Sequence, residues 1–369
     1  MRVVVSDADR IHVDVLSLTW DEALLSFRLP DFSKVRVRAL RPDPRPLAET
    51  TQQNAVGRIQ LAGLQPGTEQ VVCVEWDGGQ RDLTFSTLPA PQGPCRGAYL
   101  VFGDPHVALE TENRKGRLFV EGPSILAEVV EMANTAAVDA VLIAGDITNS
   151  GTPQECVLAR NILADLKCPW LCVPGDHDRA LLRSGMWADT FGPVPWRRDV
   201  GPFRFLGVDT SGERLGAEGV AWLRDGLAGE PRRRTVVLSH LQLWPDEYIR
   251  SVKNKVVKDV EECRAALSAA FDASVLVYAG HQNVASRVGV GRGAQVNVPM
   301  PVQFPCGVLW AREYANGLYH TYRPIRSEAL CARSRGDGER AVECFQEPQW
   351  RGTYRLGAGP DQWNFVFTP

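Results

Sequence analysis

Polar and apolar residues near the start of the chain repeat with a period close to two. Lys34-Val-Arg-Val-Arg-Ala39 and Val71-Val-Cys-Val-Glu-Trp76 both carry this pattern, which belongs to strands with one buried face. Similar short runs stand at Arg2–Ser6, His12–Leu18, Ala23–Leu29, Arg58–Leu61 and Leu83–Thr87, bounded by turn residues, with no helical window between them. Such a series predicts a small all-β sandwich over residues 1–88. Residues 89–97 (Pro-Ala-Pro-Gln-Gly-Pro-Cys-Arg-Gly) read as a linker, because closely spaced prolines and glycines sustain neither a helix nor a central strand.

The period then changes. Pro123 to Val138 has apolar residues at 125, 126, 129, 130 and 133 and a proline in its first turn, which predicts a helix. Further helices are expected over Pro153–Leu166, Gly219–Leu227 and Val260–Phe271. Strands are expected at Ala98–Phe102, Ala140–Ala144, Pro169–Val173, Phe203–Val208, Thr235–Ser239 and Val275–Ala279. Alternation of this kind predicts an α/β domain with helices covering sheet faces. Residues 294–325 return to strands, closing a domain of residues 98–325. Residues 326–369 form a C-terminal extension without a clear period, a candidate hairpin against the sheet or the sandwich.

Five of the predicted strands run straight into a polar cluster. Leu100-Val-Phe leads to Asp104-Pro-His106 and Val141-Leu-Ile-Ala to Gly145-Asp146. Leu171-Cys-Val-Pro leads to Gly175-Asp-His-Asp178, Val236-Val-Leu-Ser to His240, and Val275-Leu-Val-Tyr-Ala to Gly280-His-Gln-Asn283. In open α/β sheets, ligands bind outside the carboxyl ends of strands. Four of the chain's six histidines lie in these clusters. Carboxylates and imidazoles gathered in this way suit divalent metals.

Composition narrows the alternatives. The chain has 369 residues, 44% of them hydrophobic, and 41 basic residues against 44 acidic for a net charge of −3. That balance argues against a dedicated nucleic-acid binder, whose affinity rests on neutralising phosphates, but leaves room for a small anionic substrate. The apolar runs are strand-sized and no secretory leader is visible, so a cytoplasmic protein with no membrane span is expected. Nine irregularly spaced cysteines read as reduced residues, mostly buried.

Two resemblances follow from these residues. Leu64-Gln-Pro-Gly-Thr-Glu-Gln70, Val71–Trp76 and Phe85-Ser-Thr-Leu-Pro89 resemble the last third of a fibronectin type III module, although Gln70 stands where that family usually has tyrosine. The ordered blocks from Asp104 to Asn283 resemble the calcineurin-like metallophosphoesterases. Gly145-Asp-Ile-Thr-Asn-Ser-Gly-Thr-Pro153 is similar to the branch with cyclic-nucleotide phosphodiesterases. The resemblance implies an α/β/β/α sandwich and two divalent cations, Mn²⁺ or Fe favoured, Zn²⁺ or Mg²⁺ also compatible. Asp146 would bridge them. Asp104, His106 and Asn283 would hold the first ion, and Asp176, His240 and His281 the second. A metal-bridged hydroxide would attack the phosphorus of a mono- or diester, with His177 as general acid and Asp178 orienting it. Asp176 replaces the usual asparagine and Asn283 the usual histidine. Asn149 stands where the purple acid phosphatases need tyrosine, so no purple chromophore is expected.

Other residues carry lesser expectations. Arg179 is a candidate for binding substrate phosphate or for a surface ion pair. Arg232-Arg-Arg234 reads as a solvated turn. Trp244, Tyr248, Lys253, Lys255 and Lys258 lie in the loop after His240 and would either pack the rim or steer substrate. Two rival functions stand beside hydrolysis of a small phosphorylated substrate. One is a degenerate relative acting as a binding or scaffold protein with one metal or none. The other is a mononuclear metalloenzyme with non-phosphate chemistry.

Overall fold

Residues 11–29, 34–39, 46–51, 56–228, 233–245, 256–272, 274–282, 285–344 and 360–368 are described by the structure, a computed structural model. The N-terminal region is all-β. Strands β1 (His12–Leu18), β2 (Glu22–Arg28) and β5 (Val56–Ala62) form one antiparallel sheet. Strands β3 (Lys34–Ala39), β4 (Pro46–Thr51), β6 (Glu69–Trp76) and β7 (Gly79–Ser86) form another, in the order β4-β3-β6-β7. Val13, Leu25, Val35, Val37, Leu61, Val72 and Val74 fill the core between them. The arrangement is compatible with a fibronectin type III-like module. Strand β4 carries no clear alternation in the sequence and was not expected; Arg2–Ser6 lies outside the described residues.

Two further sheets follow, each six-stranded among the described residues. The first has the order β10-β9-β8-β17-β18-β19. Its strands are β8 (Gly97–Phe102), β9 (Ala140–Ile143), β10 (Trp170–Cys172), β17 (Gly307–Tyr314), β18 (Gly317–Pro324) and β19 (Phe365–Phe367). The second has the order β11-β12-β13-β14-β16-β15, built from β11 (Trp196–Val200), β12 (Phe203–Gly207), β13 (Arg234–Ser239), β14 (Leu276–Ala279), β15 (Ser286–Val290) and β16 (Gly293–Asn297). One half of the first sheet (β8, β9 and β10) and the centre of the second (β12, β13, β14 and β16) are parallel.

Alternate residues decide the layers. Tyr99, Val101, Leu142, Phe205, Val236, Leu238 and Tyr278 point between the sheets. Leu100, Phe102, Val141 and Ile143 point the other way, onto α1 (Gly122–Ala136) and α2 (Pro153–Leu163). Leu206, Val237 and Val277 do the same on the second sheet, against α5 (Gly216–Leu227) and α6 (Val260–Asp272). Parallel strands covered on both faces need continuous apolar runs, which is why these strands show no polar alternation. The result is the expected α/β/β/α sandwich.

Three segments differ from expectation. Residues 179–200, where no helix or strand was expected, hold the short helices α3 (Arg179–Ser184) and α4 (Met186–Phe191) and strand β11. The C-terminal extension contains helix α7 (Glu328–Cys344) and then returns to the first sheet as β19, its edge strand. The weak helical signal of α7 comes from its glycines and many arginines, which hide the buried face. Arg234 is no solvated turn residue. It makes a two-pronged, largely buried pair with Glu313 at 2.7 and 3.0 Å, and Arg233 pairs with Asp199 at 2.7 Å. No described helix is long and apolar enough to cross a membrane.

The sandwich is stitched to the α/β/β/α unit through β1. The buried side chain of Asn364 accepts from Leu18 N at 3.1 Å and Tyr322 N at 2.8 Å and donates to Leu16 O at 3.1 Å. Trp363 Nε1 donates to Leu16 O at 2.9 Å, and buried Arg335 pairs with Asp14 at 2.7 Å. Losing a buried hub strands several polar groups. Asn364→Ala is expected to lower stability by about 2–4 kcal/mol in urea titrations, whereas Asp361→Ala, at an exposed position, changes it by less than about 0.5 kcal/mol.

Candidate metal centre

All five polar clusters stand at the C-terminal ends of parallel strands, three from the first sheet and two from the second. Four of their side-chain carriers have left-handed backbones: Asp104 (φ 50°), His106 (φ 40°), Asp146 (φ 50°) and His281 (φ 64°). Non-glycine residues pay for this conformation, and it concentrates where function over-determines the geometry. The crossings lock it. Asp104 N donates to Gly145 O at 3.0 Å, His106 N to Asp146 O at 3.0 Å, and His281 N to the Asp104 carboxylate at 2.8 Å.

Asp146 sits at the middle, almost fully buried. Its Oδ2 lies 3.7 Å from His106 Nε2, and its Oδ1 lies 3.4 Å from His240 Nε2. On the second side, His240 Nε2 is 3.1 Å from Asp176 Oδ1 and 3.1 Å from His281 Nδ1, while His281 Nδ1 is 2.9 Å from Asp176 Oδ1. Asp146, Asp176, His240 and His281 offer ligand atoms all within 4.8 Å of one another, and so do His106, Asp146 and His177. Donors about 2.1 Å from a shared ion stand about 3.0–3.4 Å apart, so Asp176, His240 and His281 are spaced for one cation.

Orientation agrees with this. His240 Nδ1 donates to Ala144 O at 2.8 Å, leaving Nε2 to face the cluster; a carbonyl on the far nitrogen is the usual way to aim a metal-binding imidazole. Two glycines make room. At Gly145 (φ +88°) a Cβ would run into the His240 ring, and at Gly175 into the Asp146 carboxylate.

Charge supports the same conclusion. Three carboxylates meet here, Asp104 and Asp146 buried and Asp176 half-buried. Burial, with Asp146 beside it, pushes the Asp104 carboxyl up to about 7. Burial acts on Asp146 and Asp176 in the same sense, but the neighbouring imidazoles overcome it and hold both well below the usual carboxylate range. His240 is raised well above the ordinary histidine value: burial opposes the shift, and the surrounding carboxylates prevail. Burial keeps His106 neutral. The cluster therefore calls for positive charge, and its oxygen and imidazole donors fit divalent ions.

The remaining residues fall into place around this core. Asp104 belongs to neither compact group; its carboxylate is held by His281 N. Asn283, Tyr248, Lys253 and Lys255 lie outside the described residues. Arg179 donates to Ser211 O and faces Glu213 at 3.7 Å, so its guanidinium is committed to a neighbouring loop. Lys258 also pairs with Glu213. Trp244 lies under the Arg264 guanidinium, 4.8 Å from ring centroid to Cζ, and packs the rim.

One expectation is corrected. Asp178 does not orient His177. Its fully buried carboxylate accepts from Gly175 N at 3.0 Å, Ile147 N at 3.1 Å, Thr148 N at 3.0 Å and Thr148 Oγ1 at 2.7 Å. It is a brace joining the loops of Asp146 and Asp176. His177 Nδ1 instead meets the backbone carbonyl of Asn149, a partner that no residue type announces. Sequence reasoning also passed over Arg117. It is half-buried, its Nε donates to Gln303 Oε1 at 3.3 Å, and its charge acts on both Asp104 and His106. The basic run Arg114-Lys115-Gly116-Arg117, soon after the first polar cluster, is the signal that could have found it.

The fold thus brings together two groups of Asp and His side chains, sharing Asp146, that could each hold a metal ion. The calcineurin-like phosphoesterase family profile matches residues 98–284, just over half the chain, and the chain belongs to that family. A glycerophosphodiester phosphodiesterase, GpdQ, from Enterobacter lignolyticus is 39% identical over 70 residues, 18% of this chain and 25% of that protein; the match thus spans about a quarter of the relative. A dimetal phosphatase from Danio rerio has a similar fold, with TM-score 0.50 and 14% identity, covering 63% of this chain and 97% of that one. A purple acid phosphatase from yellow lupin (Lupinus luteus) aligns with TM-score 0.49 and 14% identity over 86% of this chain and 72% of its own.

Close packing against Asp146 makes a simple test. Gly175→Ala is expected to weaken Mn²⁺ binding about 10–100-fold by calorimetric titration. Gly212→Ala, where an added Cβ meets nothing within 4 Å, should leave it unchanged.

Proposed function

We propose that this chain hydrolyses small phosphate esters with the help of two divalent cations held between its sheets. The observation that carries this reading is the division of Asp146, one carboxylate oxygen facing His106 and the other facing His240. In this reading Asp104 and His106 hold the first ion, with Asn283 completing its set. Asp176, His240 and His281 hold the second. An amide oxygen in place of an imidazole at position 283 favours Mn²⁺ or Fe over Zn²⁺, with Mg²⁺ also compatible. When bound, such a pair neutralises phosphoryl charge and lowers the pKa of a shared water.

The protein's own residues supply the rest. His177 is the general acid. Its Nδ1 is tied to Asn149 O, which fixes the ring and leaves Nε2 to pass a proton to the departing oxygen. Asp178 is a positioning residue that holds the Asp146 and Asp176 loops together. Arg117 meets the anionic substrate from the loop after the first cluster, because its charge already reaches the first-ion side. Arg179, bound to Ser211 and Glu213, has a structural part. A diester is the favoured substrate class, supported by the Gly145–Pro153 run and by the short similarity to a phosphodiesterase.

Leaving-group dependence tests the acid. His177→Ala should lower kcat about 10²–10³-fold for an alkyl ester, whose leaving oxygen needs a proton, and less than about fivefold for a p-nitrophenyl ester. Equal losses on both would remove His177 from that role. Asp146→Ala should abolish turnover and bring bound manganese, measured by elemental analysis, from two equivalents towards none. Wild-type protein with no bound metal and no turnover would instead favour a binding protein.

A further inference from the structure

Cys306 and Cys331 lie outside the metal cluster, where Arg58 of the sandwich reaches the α/β/β/α unit. Cys306 is fully buried, directly before β17, with a left-handed backbone (φ 60°). Cys331 is in the first turn of α7, 7% exposed. The two side chains belong to one buried cluster, and each thiol influences the other's ionisation. The Arg58 guanidinium, from β5 of the sandwich, reaches across with Nη2 3.2 Å from Cys331 Sγ, while its Nη1 is anchored on Ile325 O at 2.6 Å. Cys331 also lines a narrow cleft of about 20 Å³, room for a water-sized solute, together with Arg28, Arg58, Phe304, Glu328 and Arg335. A small solute therefore has a path to one sulfur, and a cation stands beside it.

The electrostatics divide the pair. The neighbouring Cys306 thiol holds the Cys331 thiol below its ordinary value, against burial and with help from Arg58. Burial pushes the Cys306 thiol well above its own. A thiolate beside a cation, at a helix N-terminus, is the reactive form of cysteine.

We propose that Cys306 and Cys331 form a peroxide-oxidisable thiol pair that closes to a disulfide. Cys331, as the thiolate, attacks one oxygen of a hydroperoxide. The O–O bond breaks, the second oxygen leaves as water or alcohol after taking up a proton, and Cys331 becomes a sulfenic acid. The Cys306 sulfur then attacks the Cys331 sulfur, the S–O bond breaks, and water leaves with the Cys306 proton. Two thiols lose two electrons and one peroxide gains them. Thiols packed into one buried cluster need little movement to form the bond.

The bond would pin α7 to the segment before β17. Cys331, Ser334 and Arg335 share a helix face at i, i+3 and i+4, and that face already holds the segment. Phe304 N donates to Ser334 Oγ at 2.7 Å, and the Arg335 guanidinium stacks 5.0 Å from the Phe304 ring. Ser334 Oγ also donates to Gly116 O, next to Arg117. The pair thus sits behind a loop that faces the metal cluster, and its oxidation would fasten that rim.

The test needs only the full chain and hydrogen peroxide. After treatment with about one equivalent, intact mass should fall by about 2 Da and two fewer thiols should be alkylated under denaturing conditions. Peptide mapping should recover a dithiothreitol-sensitive link between residues 306 and 331. Arg58→Met should slow its formation about tenfold by raising the Cys331 thiol. The proposal is overturned if both cysteines remain alkylatable, if Cys331 bridges to a different cysteine, or if it stops at sulfinic acid with Cys306 intact.

Discussion

The crowding of two buried carboxylates and a half-buried third around two imidazole pairs is the constraint on which this architecture turns. Asp104, Asp146 and Asp176 could not share so small a space without positive charge among them. The protein meets the cost in backbone geometry. Four cluster residues take left-handed conformations, two glycines give up a Cβ so that His240 and Asp146 can stand close, and the Ala144 carbonyl fixes one imidazole. None of these arrangements helps a stable loop; together they aim a set of donors at shared points.

That aim depends on sheets rather than on loops alone. The first sheet delivers Asp104, His106, Asp146 and Asp176, and the second delivers His240 and His281. Parallel strands in register, buried on both faces, place the turns of neighbouring strands side by side. Asp178 ties two of those turns into one body. A carboxylate with four donors around it is well satisfied though fully buried, and its worth is positional. The correction of its role moves it from the reacting groups to the frame that holds them.

The N-terminal sandwich is part of the same body. Leu16 and Leu18 hang their backbone groups on Trp363 and Asn364, Asp14 pairs with Arg335, and Arg58 reaches into the first turn of α7. Helix α7 in turn holds the segments around Phe304 and Gly116. A path of direct contacts therefore runs from the sandwich, through α7, to the loop bearing Arg117.

Much of this could be read before folding. The five clusters announced themselves because each followed an apolar strand and carried rare histidines. Strand and helix periods placed most elements within a few residues, since burial on one or two faces writes itself into local pattern. What the chain alone could not disclose were pairings between distant segments: Arg234 with Glu313, Asn364 with β1, the Asn149 carbonyl with His177, and Cys306 with Cys331. Backbone carbonyls have no sequence identity, and a charged or polar residue looks solvated until its partner arrives. Residue order determined which groups are available and the local form of the segments that bear them. Only the convergence of two sheets decided which groups meet, because contact across such separations is set by packing and leaves no local trace.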